Sequence, residues 1–305
     1  MLHYLARRVV QLIFVLLAVS TVLFFLLRLS GDPAAMLAGQ NASVETIAEI
    51  RRSLGFDQPL QVQYVRFMGQ VLTLNFGDSI STHQGAMSMV LERVPETLKL
   101  TIAAFAFAIV VAFPVGIYAA MRRRSFGASL AMVAALLGQS MPMFWLGILL
   151  LLIFSVNLHW LPSFGSAEWR HLILPGITLG SLPLAKLVRL TRSGMLEVLG
   201  QDYVRTAHAK GLSPRLVLSR HSVRNTLIPI VTIIGVDLGQ LLGGAVIVES
   251  IFSWPGVGRL MVQSVLGRDY PVVQASVFVV TILAVLINLF VDIIYRALDP
   301  RIKLA

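Results

Sequence analysis

Four stretches of this chain are apolar and free of charged residues for 19 residues or more: Val9–Leu27, Leu100–Met121, Leu130–Leu158 and Val272–Val291. A helix of about 20 apolar residues crosses the hydrocarbon core of a bilayer. The whole chain is 56% hydrophobic and only 13% charged, whereas a soluble domain is roughly 25% charged. A water-soluble protein of 305 residues could not bury this much apolar surface, so the pattern predicts an all-α integral membrane protein.

Two further segments complete a predicted set of six transmembrane helices. Thr226–Val248 is apolar except for Asp237 at its middle. Leu172–Ala185 is uncharged for only 14 residues and then meets basic side chains. It can still span the membrane if its last turns reach the interface and those side chains extend to the headgroups. The N-terminal run lacks a cleavage site with small residues, which predicts a retained anchor rather than a signal peptide.

The basic residues predict the orientation, because short cytoplasmic loops are enriched in lysine and arginine. With six spans, sixteen basic residues fall on one side: Arg7, Arg8, Arg122, Arg123, Arg124, Lys186, Arg189, Arg192, Arg205, Lys210, Arg215, Arg220, Arg224, Arg296, Arg301 and Lys303. The opposite short connections hold Arg170, Arg259 and Arg268. Both termini are therefore predicted to be cytoplasmic. The net charge of +10 follows from this topology and does not indicate nucleic-acid binding.

The chain divides into three predicted regions. Residues 1–29 form an N-terminal anchor helix, and residues 30–96 form an external segment with short helices at Val44–Leu54 and Gln61–Leu72. Such a long connection is not expected to be structureless. Residues 97–305 form a five-helix core that carries a short cytoplasmic helix at about 201–211.

The cytoplasmic helix has clear start and stop signals. Asp202 sits at its beginning, where a negative charge suits the helix dipole, and Gly211 is placed to end it. A helix of about ten residues is unstable alone in water, so it must dock on something. On physical grounds two hypotheses stay open. The helix docks on headgroups or on its own protein, or it docks in a groove of a cytoplasmic partner.

Polar and broken positions inside the spans are candidates for a translocation path. Asp237 is an acid near the middle of a span, which marks either a path or a paired structural site. Ser140 and Met141 belong to a Ser-Met-Pro-Met sequence that breaks the third span, either as a kink or as part of the pore lining. Glu249, at a span end, is interpreted as an interface anchor. The six histidines show no metal-ligand spacing, and no metal site is predicted.

The sequence also bears on other functional classes. Cysteine is absent, and no phosphate loop of the Gly-x-x-x-x-Gly-Lys-Ser/Thr type is present. No nucleophile–base pair at shared depth suggests a membrane enzyme. An ion-coupled secondary transporter usually shows internal repeats and several intramembrane charges, but Asp237 stands alone in the sequence. A channel built by an oligomer stays open as an alternative on residues alone.

Motifs along the whole chain resemble one family. The cytoplasmic stretch Tyr203-Val-Arg-Thr-Ala-His-Ala-Lys-Gly211 is similar to the cytoplasmic loop of inner-membrane permeases of binding-protein-dependent ABC transporters. The branch is the one for dipeptides, oligopeptides, glutathione and nickel. Further matching motifs, in chain order, are Leu54-Gly-Phe-Asp-Gln-Pro-Leu60, Asn75-Phe-Gly-Asp-Ser79, Val94-Pro-Glu-Thr-Leu98, Glu249-Ser-Ile-Phe-Ser-Trp-Pro-Gly-Val-Gly258, Arg268-Asp-Tyr-Pro and Asp299-Pro-Arg-Ile302. The Glu of the general permease pattern is absent, and its Gly-to-Pro spacing is longer here.

The resemblance implies a type I importer fold and a set of partners. These are a second, similar permease, two cytoplasmic ATPase subunits that bind ATP and magnesium, and an external substrate-binding protein. The chain itself would be no enzyme and hold no cofactor. It would sit in the bacterial inner membrane and form half of a pore for peptides, with glutathione or chelated nickel as alternative cargo. The implied ATPase contacts are Asp202, Tyr203, Val204, Arg205, Thr206, Ala207, Ala209, Lys210 and Gly211.

Overall fold

The computed structural model describes residues 2–29, 34, 43–213 and 216–298, and in that part of the chain helices joined by loops make up the fold. Within those residues, the only β-type pairing is an isolated bridge between Asp78 and Gly85. The α-helices, in chain order, are α1 (Leu2–Leu29), α2 (Val44–Leu54), α3 (Leu60–Leu72), α4 (Ala86–Met121), α5 (Phe126–Ser140), α6 (Met143–Leu150), α7 (Ile173–Leu199), α8 (Asp202–Ala209), α9 (Arg224–Ile251), α10 (Val257–Leu266) and α11 (Tyr270–Leu298).

Four helices are long and apolar enough to cross a membrane: α1, α4, α7 and α11. A bent pair, α5 with α6, provides a fifth candidate. The predicted segment Thr226–Val248 lies in α9, where side chains are described only at Thr226 and from Gly239 onward. The membrane-spanning, all-helical prediction is confirmed at this level, and the count of six spans stays a prediction.

The third predicted span is not one helix. The sequence predicted one span over Leu130–Leu158 with a break at its Ser-Met-Pro-Met sequence. In the structure α5 ends at Ser140 and α6 begins at Met143, with a bend of 113° between them. Pro142 explains the break, because its ring cannot continue the preceding helix and it has no N–H to donate. After α6 the chain continues as a π-helix over Leu151–Asn157.

The fourth predicted span is longer than expected. The sequence assigned Leu172–Ala185 to the membrane and placed Lys186, Arg189 and Arg192 in the connection that follows. In the structure all three lie inside α7, which continues to Leu199 with Pro183 in its interior. The helix continues because a buried face persists beyond the apolar run, formed by Leu187, Val188, Thr191 and Met195.

The described residues form two compact units, of which the first comprises residues 1–95 and 256–285. Its core is aromatic. Phe24 of α1 makes an edge contact with Tyr64 and a tilted contact with Phe67, both in α3. Thr21 and Tyr64 join the same two helices by a hydroxyl–hydroxyl hydrogen bond of 2.8 Å. Aromatic pairs contribute about 0.5–1.5 kcal/mol beyond their buried area, so α1 is held to the predicted external segment by specific side-chain geometry.

Helices α2 and α3 confirm the short helices that the sequence predicted near 44–54 and 61–72. Ser43 caps α2 by accepting the Thr46 N–H, and Gly55 ends it in the left-handed conformation. At the start of this helix, hydrogen bonds from backbone N–H and from the Ser43 hydroxyl lower the pKa of the Glu45 carboxyl. Local capping chemistry thus fixes both ends of α2.

The second unit comprises residues 96–255 and 286–305. Within it, α4 and α7 cross through small residues. A Cβ added to Gly180 would lie 2.5 Å from the Ala104 carbonyl oxygen, and one added to Gly116 would lie 2.6 Å from the Thr191 Cβ. Close approach of backbones is the usual basis of helix association in lipid. Because residue pairs 104–180 and 116–191 increase together, α4 and α7 run parallel.

Candidate functional site

The cytoplasmic helix predicted from the sequence is present as α8, Asp202–Ala209. It follows α7 after a short turn in which the Gln201 carbonyl accepts the N–H of Val204 and of Arg205. Asp202 lies in the first turn, where its charge suits the helix dipole. The Thr206 hydroxyl donates to the Asp202 carbonyl at 2.9 Å. The helix is therefore separated from α7 by a defined turn and is not a continuation of it.

The end of α8 is a Schellman-type cap. Gly211 has φ of +79°, and the Leu212 N–H donates to the Ala207 carbonyl at 3.3 Å. A left-handed residue at this position suits glycine because it has no Cβ. Nothing lies within 4 Å of a Cβ built on Gly211. The demand for glycine therefore comes from backbone conformation and not from crowding.

One face of α8 packs on its own protein. Val204 and Ala207 are buried against Val217, and Val198 and Leu212 complete this small apolar cluster. Val198 belongs to α7, and Val217 begins a π-helix, Val217–Val223, that leads into α9. The cluster therefore connects α8 to the end of one long helix and to the approach of the next.

The other face of α8 is exposed. Its exposed members, all predicted as ATPase contacts, are Asp202, Tyr203, Arg205, Thr206 and Ala209, followed by Lys210 and Gly211. Asp202 and Arg205 form a long ion pair of 3.5 Å between two highly exposed side chains, which contributes little to stability. Of the nine predicted contact residues, Val204 and Ala207 anchor α8 on this protein, and the other seven are exposed.

The approach to α9 is tied to α7 by buried hydroxyls. The Thr226 hydroxyl contacts the Met195 sulfur at 3.2 Å and donates to the Ser222 carbonyl at 2.8 Å. The Ser222 hydroxyl donates to the Val217 carbonyl at 3.3 Å. A displacement of α8 would thus act on a π-helical segment that leads directly into α9, whose first turn contacts α7 through Thr226. Sequence reasoning missed this segment, because π-helices have no simple residue pattern.

The predicted path residues lie in different surroundings. Ser140 and Met141 are at the bend between α5 and α6, and the Ser140 side chain is exposed while donating to the Leu136 carbonyl at 2.9 Å. Asp237 lies in α9 at a position whose side chain is outside the described residues. The structure therefore gives Ser140 and Met141 a place on one surface and leaves the role of Asp237 as a prediction.

One carboxylate in the second unit is buried, which the sequence did not indicate. Glu249, interpreted from sequence as an interface anchor, is fully buried and accepts a hydrogen bond from the Thr97 hydroxyl at 2.7 Å. Next to it, Trp254 is also buried and its indole N–H donates to the Glu96 carbonyl at 2.9 Å. Two sequence motifs 152 residues apart therefore meet through polar contacts, a pairing that neither motif reveals alone.

The first unit contains a second such junction, around Asp269. Its carboxylate, 3% exposed, accepts the hydroxyls of Ser79 and Ser81 and the backbone N–H groups of Ile80 and Ser81. The donors belong to the loop after α3, and Asp269 immediately precedes α11. We call this arrangement the Asp269 clasp. Its signal in the sequence was only that both motifs carried the family resemblance.

Comparisons with known proteins decide the family. Residues 112–304 match the family described as the binding-protein-dependent transport system inner membrane component. Residues 1–101 match the family described as the N-terminal part of that membrane component. The chain belongs to this permease family. The resemblance predicted from the sequence is confirmed, and the permease is a multi-pass protein of the bacterial inner membrane.

Curated relatives match the permease over its whole length. The glutathione transport system permease protein GsiC of Salmonella typhimurium is 44% identical over 304 residues, covering 99% of each chain. The GsiC protein of Escherichia coli K12 is 42% identical with the same coverage. The dipeptide transport system permease protein DppB of Alkalihalophilus pseudofirmus is 41% identical over 332 residues, covering 99% of the permease and 100% of the relative.

Solved structures share the fold. An inward-facing structure of the MetNI methionine ABC transporter has a TM-score of 0.58 at 21% identity, covering 70% of the permease and 97% of that chain. An amino acid ABC transporter with histidines has a TM-score of 0.52 at 14% identity, covering 69% of the permease and 94% of that chain. At these identities the likeness concerns the fold alone.

Proposed function

We propose that this permease forms half of the transmembrane pore of an ATP-driven importer, with peptides or glutathione as cargo. The observation that carries the proposal is the two-faced helix α8. One face is anchored by Val204 and Ala207, and the other is exposed and polar. A helix of eight residues is too short to be stable alone, so it gains stability from a docking partner. We assign the role of this docking partner to the cytoplasmic ATPase of the importer.

The proposed mechanism is a rigid-body switch. When the two ATPase subunits close on ATP, the groove that holds α8 moves, and α8 moves with it. Because α8 packs on both the end of α7 and the π-helix before α9, the push reaches two long helices. Packed helices respond by changing between discrete arrangements, which would alternate inward and outward openings of the pore.

The partners follow from the same proposal. They are a second permease that completes the pore, two ATPase subunits that bind ATP and magnesium, and an external binding protein that delivers cargo. In the proposed topology six helices cross the membrane and both termini are cytoplasmic. The sequence carries no phosphate loop, so hydrolysis is assigned to the partner subunits.

The cargo is proposed from the relatives. Those named for glutathione and for dipeptides match the permease to a similar degree, 44% and 41%. Both kinds of cargo are short peptides with free carboxylates. Chelated nickel is retained as the alternative that the sequence left open, and selection among these is assigned to the binding protein.

The test is a reconstituted complex. The permease is co-expressed with candidate permease, ATPase and binding-protein partners, purified in lipid, and assayed for ATP hydrolysis and peptide uptake. The variant Gly211→Asp is compared with the native chain, because it places a negative charge at the carbonyl end of α8, where the helix dipole is already negative. We expect the native complex to hydrolyse ATP with uptake, and the variant to lose uptake per ATP hydrolysed. A chain that purifies without any ATPase and moves solute down an ion gradient would establish the secondary-transporter alternative instead.

A further inference from the structure

Arg189, a basic residue inside α7, lies farther from the end of its helix than the sequence indicated. Arg189 lies ten residues before Leu199, which is about 15 Å of helix. Its neighbours Val188 and Thr191 pack on Gly116 of α4. Gly116 precedes the end of α4 at Met121 by five residues, or about 8 Å. The backbone at Arg189 is therefore level with the apolar part of α4 and not with the basic turn that follows it.

The side chain of Arg189 extends to the bend between α5 and α6. Its Nη2 lies 3.5 Å from Oε1 of Gln139, next to Ser140. All three side chains are exposed. Among the described side chains, no carboxylate lies within ion-pair distance of Arg189. Its charge is instead favoured by the carbonyl end of α5, which carries the negative end of the helix dipole.

Such a surface does not suit contact with lipid. An exposed guanidinium at membrane depth is costly unless it faces water or another protein group. Gln139 and Ser140 add two more polar side chains to the same surface, at the point where Pro142 interrupts the helix. Non-helical backbone at this depth is tolerated where it lines a water-filled cavity or is buried in protein. The arrangement therefore favours a water-filled path.

We propose that Gln139, Ser140 and Arg189 form a cationic site in the translocation path that binds the carboxylate of the peptide cargo in passing. This inference rests on the proposed transport function. An arginine fork matches a carboxylate by paired N–H donors. The Gln139 amide oxygen faces Arg189, which leaves its NH₂ group for a cargo oxygen. Every peptide with a free C-terminus carries the required group, whatever its side chains.

The first test measures the electrostatic potential at the proposed site and does not require transport. The permease has no cysteine, so Ser140→Cys provides a single reactive thiol of nearly native size. In the assembled complex in lipid, the thiol is labelled with an anionic and with a cationic methanethiosulfonate reagent of similar size. Relative to the rate ratio of the two reagents with a free thiol in solution, we expect the anionic reagent to be favoured by between about threefold and tenfold, as one nearby positive charge predicts. We also expect the preference to shrink at high salt.

Matched variants assign the preference to Arg189. Arg189→Gln in the Ser140→Cys background should abolish the preference, Arg189→Lys should keep it, and Arg123→Gln in the turn after α4 should leave it unchanged. If the thiol is unreactive in the complex, or reacts equally with both reagents, the cationic site is wrong. A preference for the cationic reagent on this normalised scale would also overturn it, because negative charge would then dominate around the thiol.

The second test separates this inference from the transport function on which it rests. In proteoliposomes with the binding protein, Arg189→Gln should reduce dipeptide uptake about tenfold while ATP hydrolysis stimulated by the binding protein stays within about twofold of native. Unchanged uptake in this variant would overturn the cargo role of Arg189. A native complex without stimulated hydrolysis would instead overturn the proposed function, which is a distinguishable result.

Discussion

The backbone conformation of a single residue, Gly211, sets the end of α8. At Gly211 the backbone is left-handed, with open space around the position of a Cβ. Asparagine tolerates this conformation, whereas a β-branched residue does not. The two kinds of substitution therefore impose different backbone strain at a position with room for a Cβ.

We predict that Gly211→Val weakens binding of the cytoplasmic ATPase by roughly fivefold to thirtyfold, and that Gly211→Asn weakens it by less than threefold. The physical reason is a cost of about 1–2 kcal/mol for a β-branched residue in the left-handed conformation, which asparagine largely avoids. The measurement is titration of the purified ATPase against the permease in nanodiscs. Equal affinities of the two variants would show that the cap does not control docking.

A second residue-scale prediction concerns the buried carboxylate of Glu249. Thr97→Val removes the hydroxyl that donates to Glu249 at 2.7 Å, and a buried polar group that loses a partner costs about 1–3 kcal/mol. We expect a lowered thermal transition of the purified permease. Ser250→Ala is the control, because that hydroxyl is exposed and bonds only to its own helix at Val246. A transition unchanged by Thr97→Val would contradict a stabilising role.

At the scale of helices, the sequence predicted most elements and mispredicted those whose limits depend on tertiary contacts. Four apolar runs each led to a spanning helix or to the bent pair, because lipid imposes the same length on every span. The break at the Ser-Met-Pro-Met sequence was predicted, but the bend of 113° at that break and the extension of α7 to Leu199 were not. Pro142 interrupts its helix and Pro183 does not, a difference set by the surrounding packing.

The crossing of α4 and α7 yields a prediction at this scale. Gly180→Ala places a Cβ 2.5 Å from the Ala104 carbonyl oxygen, so the two helices must separate and the thermal transition should fall. Gly243→Ala is the matched control in α9, because nothing lies within 4 Å of its Cβ. There alanine should be neutral or stabilising, since it favours a helix by up to about 1 kcal/mol over glycine. A similar fall in the thermal transition of both variants would show that close packing of α4 on α7 is not the cause.

The two faces of α8 yield another prediction. Val204→Asp introduces a charge into the apolar cluster with Val217 and should release α8, so that ATPase binding and coupled hydrolysis are both lost. Arg205→Ala lies on the exposed face and should weaken ATPase binding only modestly. Limited proteolysis around residue 205 reports release directly, and only Val204→Asp should increase cleavage. Cleavage raised equally by both variants would show that the helix is not anchored by one face.

At the scale of the whole molecule, orientation is the outstanding prediction. In a chain without native cysteine, single cysteines can be placed at His83 in the loop after α3 and at Arg123 in the turn after α4. We expect an impermeant thiol reagent added to intact cells to label the cysteine at 83 and not the one at 123, because the basic turn belongs in the cytoplasm. The reverse pattern would invert the topology and move α8 to the outside.

At the candidate site and at the two polar junctions, the sequence predicted local features but not contacts between distant parts of the chain. The start of α8 at Asp202 and its stop at Gly211 were predictable, since capping is local. The junctions of Thr97 with Glu249, and of Ser79 and Ser81 with Asp269, connect motifs that are far apart in the chain. No local pattern specifies such a pairing, although each motif was already prominent in the sequence.

The Asp269 clasp has a consequence for the order in which the protein matures. Its two halves, Ser79 and Asp269, are 190 residues apart, so a ribosome adding 5–20 residues per second needs roughly 10–40 s between them. During that interval the early loop has no carboxylate to receive its four donors. The hydrogen bonds of this loop to Asp269 can therefore form only after the chain up to α11 has been made. A nascent chain that stops before Asp269 would leave this loop without its carboxylate partner, and an exposed, unbound loop is where proteases would recognise unfinished copies.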